Sequence, residues 1–447
     1  MVSPNIERCK LNKLKLAFGI FVLFAGLLVS QTPRPLLAAG TNYYVDSVGG
    51  ADSNSGTSSS SPWKTLTKVQ SRHYLPGDTI NFKRGSYWTG VLQILDSGAQ
   101  GNPITFRDYG TGARPTISNP GGTWAREIQV FGSWVIVQGF LVKDGGDAGV
   151  EIVSGANHNI IQDIEATNTG FGVSIYGQFN LITKNNAHDL QMHINTPTPT
   201  DDDCGAIGYL IVNSDNEVSY NSCINCRAPS YDYGYDGGVV EIWANGNNSY
   251  IRHNFGSGSD GFIEVGGGSA RNVRVAYNVS DNNYGDFACL HNSGTFASTF
   301  DNFRIENNTI VNTTASGRAV INCMDSPVDP SQLLFHNNVV SSIFTVFRWS
   351  TFTHSNNIYN MLGGAPVGFP LGSGERMTDP LLTTVNGCPY HLQSYSPAIS
   401  AGMNLGYLVD LHGNPVSNRP AIGAHEYVAL PPSGSMLPVL FLPFISH

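Results

Sequence analysis

A short phrase repeats along the middle of the sequence and constrains the fold more than any other feature. Two apolar triplets, joined by a turn that contains Gly or Asn, end at an asparagine, and successive asparagines are 19 to 35 residues apart. The repeated residues are Asn186, Asn221, Asn254, Asn278, Asn308, Asn338 and Asn357. No segment of ten or more residues with helical periodicity separates them. The chain is therefore expected to consist of short strands without crossover helices.

This pattern predicts an all-β fold, a right-handed parallel β-helix in which each repeat forms one coil and packs against its neighbours. Asparagine suits the bends because it tolerates left-handed backbone angles, and stacked amides can hydrogen-bond along the solenoid. A second strand series should form one parallel sheet, at residues 149–155, 172–177, 237–245, 261–267, 287–292 and 318–323. The alternative is an antiparallel sandwich or a propeller, but hairpin turn pairs are not regularly placed.

The two ends of the chain differ from the repeats. Residues 43–116, with YYVDSVGGADSNSGTSSSSPWKTL and PGDTINFKRGSYWTG, resemble the entry cap of secreted parallel β-helix proteins of the pectate-lyase-like superfamily. Residues 396–427 resemble the closing segment that follows such helices in bacterial secreted proteins. The resemblance implies a cap with first coils at 40–130, repeats at 131–365 and a closing segment at 366–428. It implies little about the reaction, since the superfamily includes lyases, hydrolases, epimerases and adhesins.

Residues 1–39 are predicted to be an export signal. Four basic residues precede an apolar run at 16–29, and the small pair Ala38 and Ala39 ends the segment. An uncleaved anchor is the alternative, but this run is shorter than the roughly 20 residues that span a bilayer. We therefore expect a secreted, soluble chain. The apolar tail at 429–447 fits either a surface-sorting signal or a packing strand.

Charge and cysteine content narrow the functional classes. The chain has 24 Lys and Arg residues against 33 acidic residues, and its arginines are scattered, which disfavours nucleic-acid binding. Six cysteines remain once Cys9 leaves with the signal, enough for up to three disulfides in an oxidising compartment. Cys223 and Cys226 form a C-x-x-C pair, but the absence of a second pair disfavours zinc at that position.

Strand alternation indicates a candidate catalytic pair. Inward-facing Val240 and Ile242 would turn Glu241 outward, and the next coil would present Glu264 in the same way. If the strands are in register, the backbones of the two glutamates lie about 4.8 Å apart. Two such charges repel by about 3 kcal/mol at an effective dielectric of 20, which keeps one of them protonated. Glycoside hydrolysis uses such an acid and base, with a carboxyl spacing near 5 to 5.5 Å for retention and roughly 6.5 to 9.5 Å for inversion.

Further candidates surround this pair. Asp236 and Asp260 lie beside glycines and would orient the glutamates or a water molecule. An insertion at 188–206 interrupts the repeats and is expected to form a groove wall, with a calcium site at Asp201, Asp202 and Asp203. The candidate substrate-binding residues are Tyr209, Tyr233, Tyr235, Trp243, Arg252, His291 and Arg318. Calcium or Arg252 is an alternative way to neutralise the two glutamates.

Three functions remain open at this level. Cleavage of an extracellular polysaccharide by a hydrolase uses the paired acids directly. A calcium-assisted lyase needs a base, often Lys or Arg, and because no lysine follows Lys184 that base would be Arg252, Arg318 or His291. A non-catalytic glycan-binding or adhesive solenoid would need the aromatic residues without the acid pair.

Overall fold

The computed structural model describes residues 40–429, except residues 199, 314–318, 327, 350 and 386. The predicted export signal, Arg318 and the tail beyond residue 429 lie outside this described part of the chain. Among the described residues, no helix has both the length and the apolar character needed to cross a bilayer.

Most coils contribute one strand to each of three parallel sheets. Sheet 1 contains Asn42–Val45, Thr79–Lys83, Ile104–Tyr109, Val135–Gln138, Ile160–Gln162, Leu181–Thr183, Glu217–Ser219, Tyr250–Arg252, Arg274–Ala276, Phe303–Glu306, Leu333–His336 and Thr353–Ser355. Sheet 2 contains Tyr87–Thr89, Thr116–Ser118, Leu141–Lys143, Glu165–Thr167, Asn186–His188, Ser222–Ile224, Phe255–Ser257, Val279–Asp281, Thr309–Asn312, Val339–Ser342, Ile358–Met361 and Arg376–Met377. Sheet 3 contains Leu92–Ile94, Ile128–Val130, Ala148–Ile152, Phe171–Ile175, Ile207–Ile211, Gly238–Asn245, Gly261–Arg271, Ala288–Leu290, Thr299–Asp301 and Ile321–Asn322.

These sheets confirm the predicted right-handed parallel β-helix. The second strand series forms sheet 3, and its inward positions carry aliphatic side chains such as Val240, Ile263 and Val265, which are at most 2% exposed. Antiparallel hairpins interrupt the coils at Met192–Ile194 with Cys204–Gly205, at Ala228–Ser230 with Gly234–Asp236, and at Leu382–Val385 with Cys388–Leu392. The helices of the described chain are short, Leu66–Gln70 and the 3-10 turn Leu362–Gly364.

Asparagine side chains stack inside the bend between sheets 1 and 2. The buried Asn308 amide donates to Oδ1 of Asn338 at 3.0 Å and accepts from the side chain and backbone of Asn278. The same contacts link Asn185, Asn221, Asn254, Asn278, Asn308, Asn338 and Asn357. The predicted amide ladder is thus confirmed, but its member in the earliest of these coils is Asn185 and not Asn186.

The left-handed residue of each bend is the one before the ladder asparagine, contrary to expectation. These positions have φ between 53° and 59° and include Lys184, Tyr220, His253, Tyr277, Asn307, Asn337 and Asn356. The ladder asparagine itself supplies hydrogen bonds, and each amide also donates to a backbone carbonyl of the preceding coil, as Asn308 does to Val275 at 2.9 Å. Bulky residues tolerate the strained angle because this network holds the bend.

The closing segment packs beside the bend between sheets 1 and 2. Asn337 donates from its side chain to the Met403 carbonyl at 2.8 Å, and the Gly423 amide donates to the Asn337 carbonyl at 2.7 Å. Thr309 Oγ1 accepts a hydrogen bond from the Ala424 amide at 2.9 Å. These contacts place the segment away from the outer face of sheet 3.

Disulfides in the described chain join Cys223 to Cys226 and Cys289 to Cys323. The first disulfide excludes zinc binding by the C-x-x-C pair, since the two sulfurs are bonded to each other. The second joins the strand Ala288–Leu290 of sheet 3 to the residue that follows the next strand, Ile321–Asn322, beside the candidate catalytic coil.

Candidate active site

Glu241 and Glu264 are direct register partners on neighbouring strands of sheet 3. Their flanking residues Val240 and Ile263 pair in the same register and are buried in the core. Because side chains alternate between the two faces of a strand, both glutamates project from the outer face. The expected stacking of the two carboxylates on successive coils is therefore the arrangement observed.

The two glutamates have different neighbours along this outward row. Leu210 is the register partner of Glu241 on the preceding strand, whereas Cys289 is the partner of Glu264 on the following strand. Leu210 belongs to an apolar cluster outside the main core, together with Ala148, Phe171 and Ile207 and the partly buried Cys204, Val212 and Trp243. Glu241 therefore borders an apolar surface, and Glu264 borders the polar side of the site.

This difference sets the protonation of Glu241. Burial beside the apolar cluster raises the pKa of Glu241 well above its usual value, and the charges of Glu264 and Asp236 raise it further. Burial, and then the charge of Glu264, likewise raises the pKa of Asp236 to about 8. Both groups therefore keep a proton to higher pH than an ordinary carboxyl group does.

Glu264 has a basic partner instead. Nε2 of His291 lies 2.9 Å from Oε1 of Glu264, and the glutamate side chain is 40% exposed. His291 reaches this position because its backbone amide bonds to the Val265 carbonyl, which extends the coil past the strand end. The histidine can therefore orient the Glu264 carboxylate through this contact.

A cleft of about 140 Å3 opens over the pair. Carboxylates of Glu241, Glu264, Asp260 and Asp286 line it, together with Gly238 and Gly261. A β-carbon placed on Gly238 or Gly261 would come no closer than 3.4 Å to its nearest neighbour, so both glycines leave free space in the cleft. A ligand can therefore approach the backbone closely at these two positions.

Asp260 is held by a cation that sequence reasoning missed. Nε of Arg227 donates to Oδ1 of Asp260 at 2.8 Å, and the guanidinium lies 3.5 Å and 4.2 Å from the ring centres of Tyr235 and Tyr284. Burial raises the pKa of Asp260 despite the opposing effect of Arg227. The predicted substrate-binding residue Tyr235 thus stacks on Arg227 at the edge of the cleft.

Asp286 was also missed. Its carboxylate accepts hydrogen bonds from the Asn322 side chain at 2.7 Å and from the Ala319 amide at 3.0 Å. The coil offset that pairs Ile263 with Ala288 sets Asp286 opposite Gly261. Extending the predicted register by one coil would have revealed this residue.

The insertion at 188–206 connects sheet 2 to sheet 3, and its role as a groove wall stays a prediction. Its hairpin bonds to the next one through the Asn195 side chain, which donates to the Pro229 carbonyl at 3.0 Å. Tyr233 is 48% exposed, and its hydroxyl donates to Oδ1 of Asp201 at 2.5 Å. Tyr233 is therefore exposed but tied to the acidic loop, and its contact with a substrate stays a prediction.

The three consecutive aspartates do not act as one set. Ligand oxygens of Asp202, Asp203 and the unpredicted Asp232 lie within 4.8 Å of one another, whereas Asp201 bonds to Tyr233. Carboxylate oxygens suit calcium, but those of Asp203 already accept from Thr196 N, Ser230 Oγ and Asp232 N. These bonds organise the loop, and calcium binding there stays a prediction.

Two predicted substrate contacts do not fit the structure. Tyr209 faces the core opposite Val240, is fully buried and donates to the Ser222 carbonyl at 2.9 Å. Its position after Gly208 puts it on the inward side of the strand alternation. Arg252 lies in sheet 1, where it pairs with Glu217 at 2.8 Å, and therefore cannot neutralise the glutamates of sheet 3.

Trp243 stays close to the site. It projects on the same side as Glu241, packs over Gly266 and contacts Phe296 with ring centres 5.1 Å apart. The tryptophan is partly buried, so its packing supports the apolar side of the cleft.

Comparisons with known proteins agree with this fold. No model of a known protein family matches the chain. A 90-residue stretch is 39% identical to a lacto-N-biosidase of Bifidobacterium longum subsp. longum, covering 19% of this chain and 6% of that protein. The match therefore spans a small fraction of the relative's length.

Solved structures resemble the chain over most of its length. Pectate lyase Pel9A superposes with a TM-score of 0.56 at 17% identity, over 87% of this chain and 97% of that one. A GH136 lacto-N-biosidase from Eubacterium ramulus gives 0.44 at 15% identity, over 75% and 67% of the two chains. The chain is thus a right-handed parallel β-helix protein with a pectate-lyase-like fold.

Proposed function

We propose that the protein is a secreted glycoside hydrolase that cleaves an extracellular polysaccharide, with Glu241 as general acid and Glu264 as nucleophile or base. The observation that carries this proposal is the register pairing of Glu241 with Glu264 in one cleft, in unlike surroundings. When two carboxyl groups have different surroundings, their pKa values differ, and this difference assigns the acid role to one and the base role to the other.

Glu241 suits the acid role because its raised pKa keeps a proton available for the leaving-group oxygen. Glu264 suits the second role because His291 holds its carboxylate 2.9 Å away while leaving it partly exposed to the cleft. Strands of one sheet lie about 4.8 Å apart, so the carboxyl spacing favours the retaining, double-displacement geometry. Asp236 and Asp260 would then orient the pair or a water molecule.

A polysaccharide lyase is the second candidate. The observation in its favour is that Asp260, Glu264 and Asp286 line one cleft, a set of oxygens that could hold calcium against an acidic sugar. Arg227 is stacked between two tyrosines and bound to Asp260, which makes it a poor base. The Pel9A likeness concerns the fold and does not decide between the two reactions.

Incubation with a panel of neutral and uronic polysaccharides, with and without EDTA, separates these readings. New reducing ends without ultraviolet-absorbing products support hydrolysis, and proton NMR of the first anomer formed tests retention. Unsaturated products that require calcium would establish the lyase instead. Binding of a glycan without any product would reduce the protein to a binding module.

The roles of the two glutamates can be separated in the same assay. Glu241→Gln should still act on an aryl glycoside whose leaving group needs no protonation, whereas Glu264→Gln should not. Glu217→Gln, which alters a carboxylate paired with Arg252 on sheet 1, is the matched control.

A further inference from the structure

Three imidazole rings stack in the closing part of the chain. The ring centres of His391, His412 and His425 are 4.4 to 4.9 Å apart. His391 and Cys388 belong to the strand Cys388–Leu392, whereas the other two histidines come from later turns of the closing segment. Three separate stretches of chain therefore converge at this position.

The donor atoms of this group lie within reach of one ion. The sulfur of Cys388 and ring nitrogens of His391 and His412 lie within 4.8 Å of one another. Cys388, His412 and His425 also line a cavity of about 10 Å3, room for a single water-sized species. The remaining walls are largely apolar and include Phe255, Val279 and Leu411.

Several of these nitrogens lack a partner within the described part of the chain. Nε2 of His412 and both ring nitrogens of His425 are buried without a hydrogen bond, and His425 is only 2% exposed. A buried polar group without a partner is costly, and such groups in folded proteins usually face a ligand, ion or water. Two neighbouring histidines with unpartnered buried nitrogens indicate a binding site between them.

We propose that Cys388, His391 and His412, with His425 as a further donor, bind one Zn2+ ion. Imidazole and thiolate donors are the ligands that zinc prefers, whereas calcium and magnesium prefer oxygen. The ion would fasten the hairpin strand Cys388–Leu392 to the later turns of the closing segment. The site is separate from the cleft of sheet 3, because Phe255 and Val279 at its wall belong to sheet 2.

The test uses the full secreted chain purified without a histidine tag. After treatment with a chelator, the protein is loaded with Zn2+ and dialysed in the presence of excess Ca2+, so that calcium competes for any carboxylate sites. Elemental analysis should find about one zinc per chain, the stoichiometry of a structural site. Wild-type protein that retains no zinc would overturn the proposal.

Cys388→Ser and His412→Ala should each reduce the retained zinc by at least about tenfold. Cys204→Ser removes a thiol elsewhere in the chain and should leave the zinc content unchanged. Equal zinc in all these proteins would show adventitious binding and refute the site.

Cobalt loading is an independent readout, because a thiolate-to-cobalt absorption band should be present in wild type and absent in Cys388→Ser. Circular dichroism identifies any variant that fails to fold, and His391→Gln then replaces it in the comparison.

Discussion

Glu264 lies 2.9 Å from Nε2 of His291, whereas its register partner Glu241 borders Leu210 and an apolar cluster. One carboxylate is therefore held by a basic group, and the other lies half-buried beside apolar side chains. The two side chains occupy equivalent places on successive coils, so their chemical difference comes from what packs around them and not from the strand geometry.

Removing either carboxylate should abolish most of the activity. Glu241→Gln and Glu264→Gln keep the side-chain shape but remove proton transfer, which typically contributes about 10²–10⁴-fold to the rate. We expect kcat on a polymeric glycan to fall by that amount in both variants, with Glu217→Gln close to wild type. Wild-type turnover in either glutamine variant would rule out the assigned pair.

Asp236 should make a contribution to the stability of the protein that falls as the pH rises between about 4 and 8. Its pKa is about 8 when folded against an ordinary value of 3.8, so the folded state holds an extra proton between these values. This contribution is fully present below the ordinary pKa and is lost as the pH rises through the folded one.

Asp236→Asn should flatten this part of the pH profile, measured as the melting temperature at successive pH values. Asp301→Asn, an exposed aspartate at the end of Thr299–Asp301, is the control and should keep the wild-type slope. An unchanged slope in Asp236→Asn would show that the raised pKa has been assigned to the wrong group.

A methyl group in the cleft should impair binding without unfolding the coil. The β-carbon added by Gly238→Ala meets no atom closer than 3.5 Å, so the backbone can accept it. We expect KM to rise about tenfold, the scale of one misfit methyl group in a binding pocket, while the melting temperature stays near wild type. Gly256→Ala is the contrasting variant, since its β-carbon would lie 2.3 Å from Val239, and it should lose stability instead. A Gly238→Ala enzyme with unchanged KM would place the substrate elsewhere.

The asparagine ladder should dominate the stability of the bend between sheets 1 and 2. Asn308→Ala removes hydrogen bonds to Asn278, Asn338 and the Val275 carbonyl, all in the buried interior. Leaving these groups without partners should lower the free energy of unfolding by about 3 kcal/mol in denaturant titrations. Asn360→Ala loses one half-buried bond to Ser341 and should cost less than about 1 kcal/mol. Equal losses in the two variants would contradict a special role of the ladder.

The repeat and the strand alternation were sufficient to predict the solenoid and the stacking of Glu241 on Glu264. Both depend on local periodicity, which sets how many residues make a coil and which side chains turn outward. The same alternation holds for the strand that contains Gly208 and Tyr209, but the sequence does not show which of its residues face inward. Only the register that pairs Tyr209 with Val240 shows that Tyr209 faces the core.

Other features depend on contacts between residues far apart in the chain, so no local pattern could reveal them. Arg227 reaches Asp260 and two tyrosines because a hairpin folds back over sheet 3, and Arg252 is excluded from the site because its strand belongs to another sheet. The histidines of the closing segment likewise meet only when that segment packs against the coils. Periodic hydrophobicity thus determined the coil and its outward rows. Three-dimensional packing decided which polar groups share a site and which carboxyl group has a raised pKa, because desolvation and charge coupling act through space.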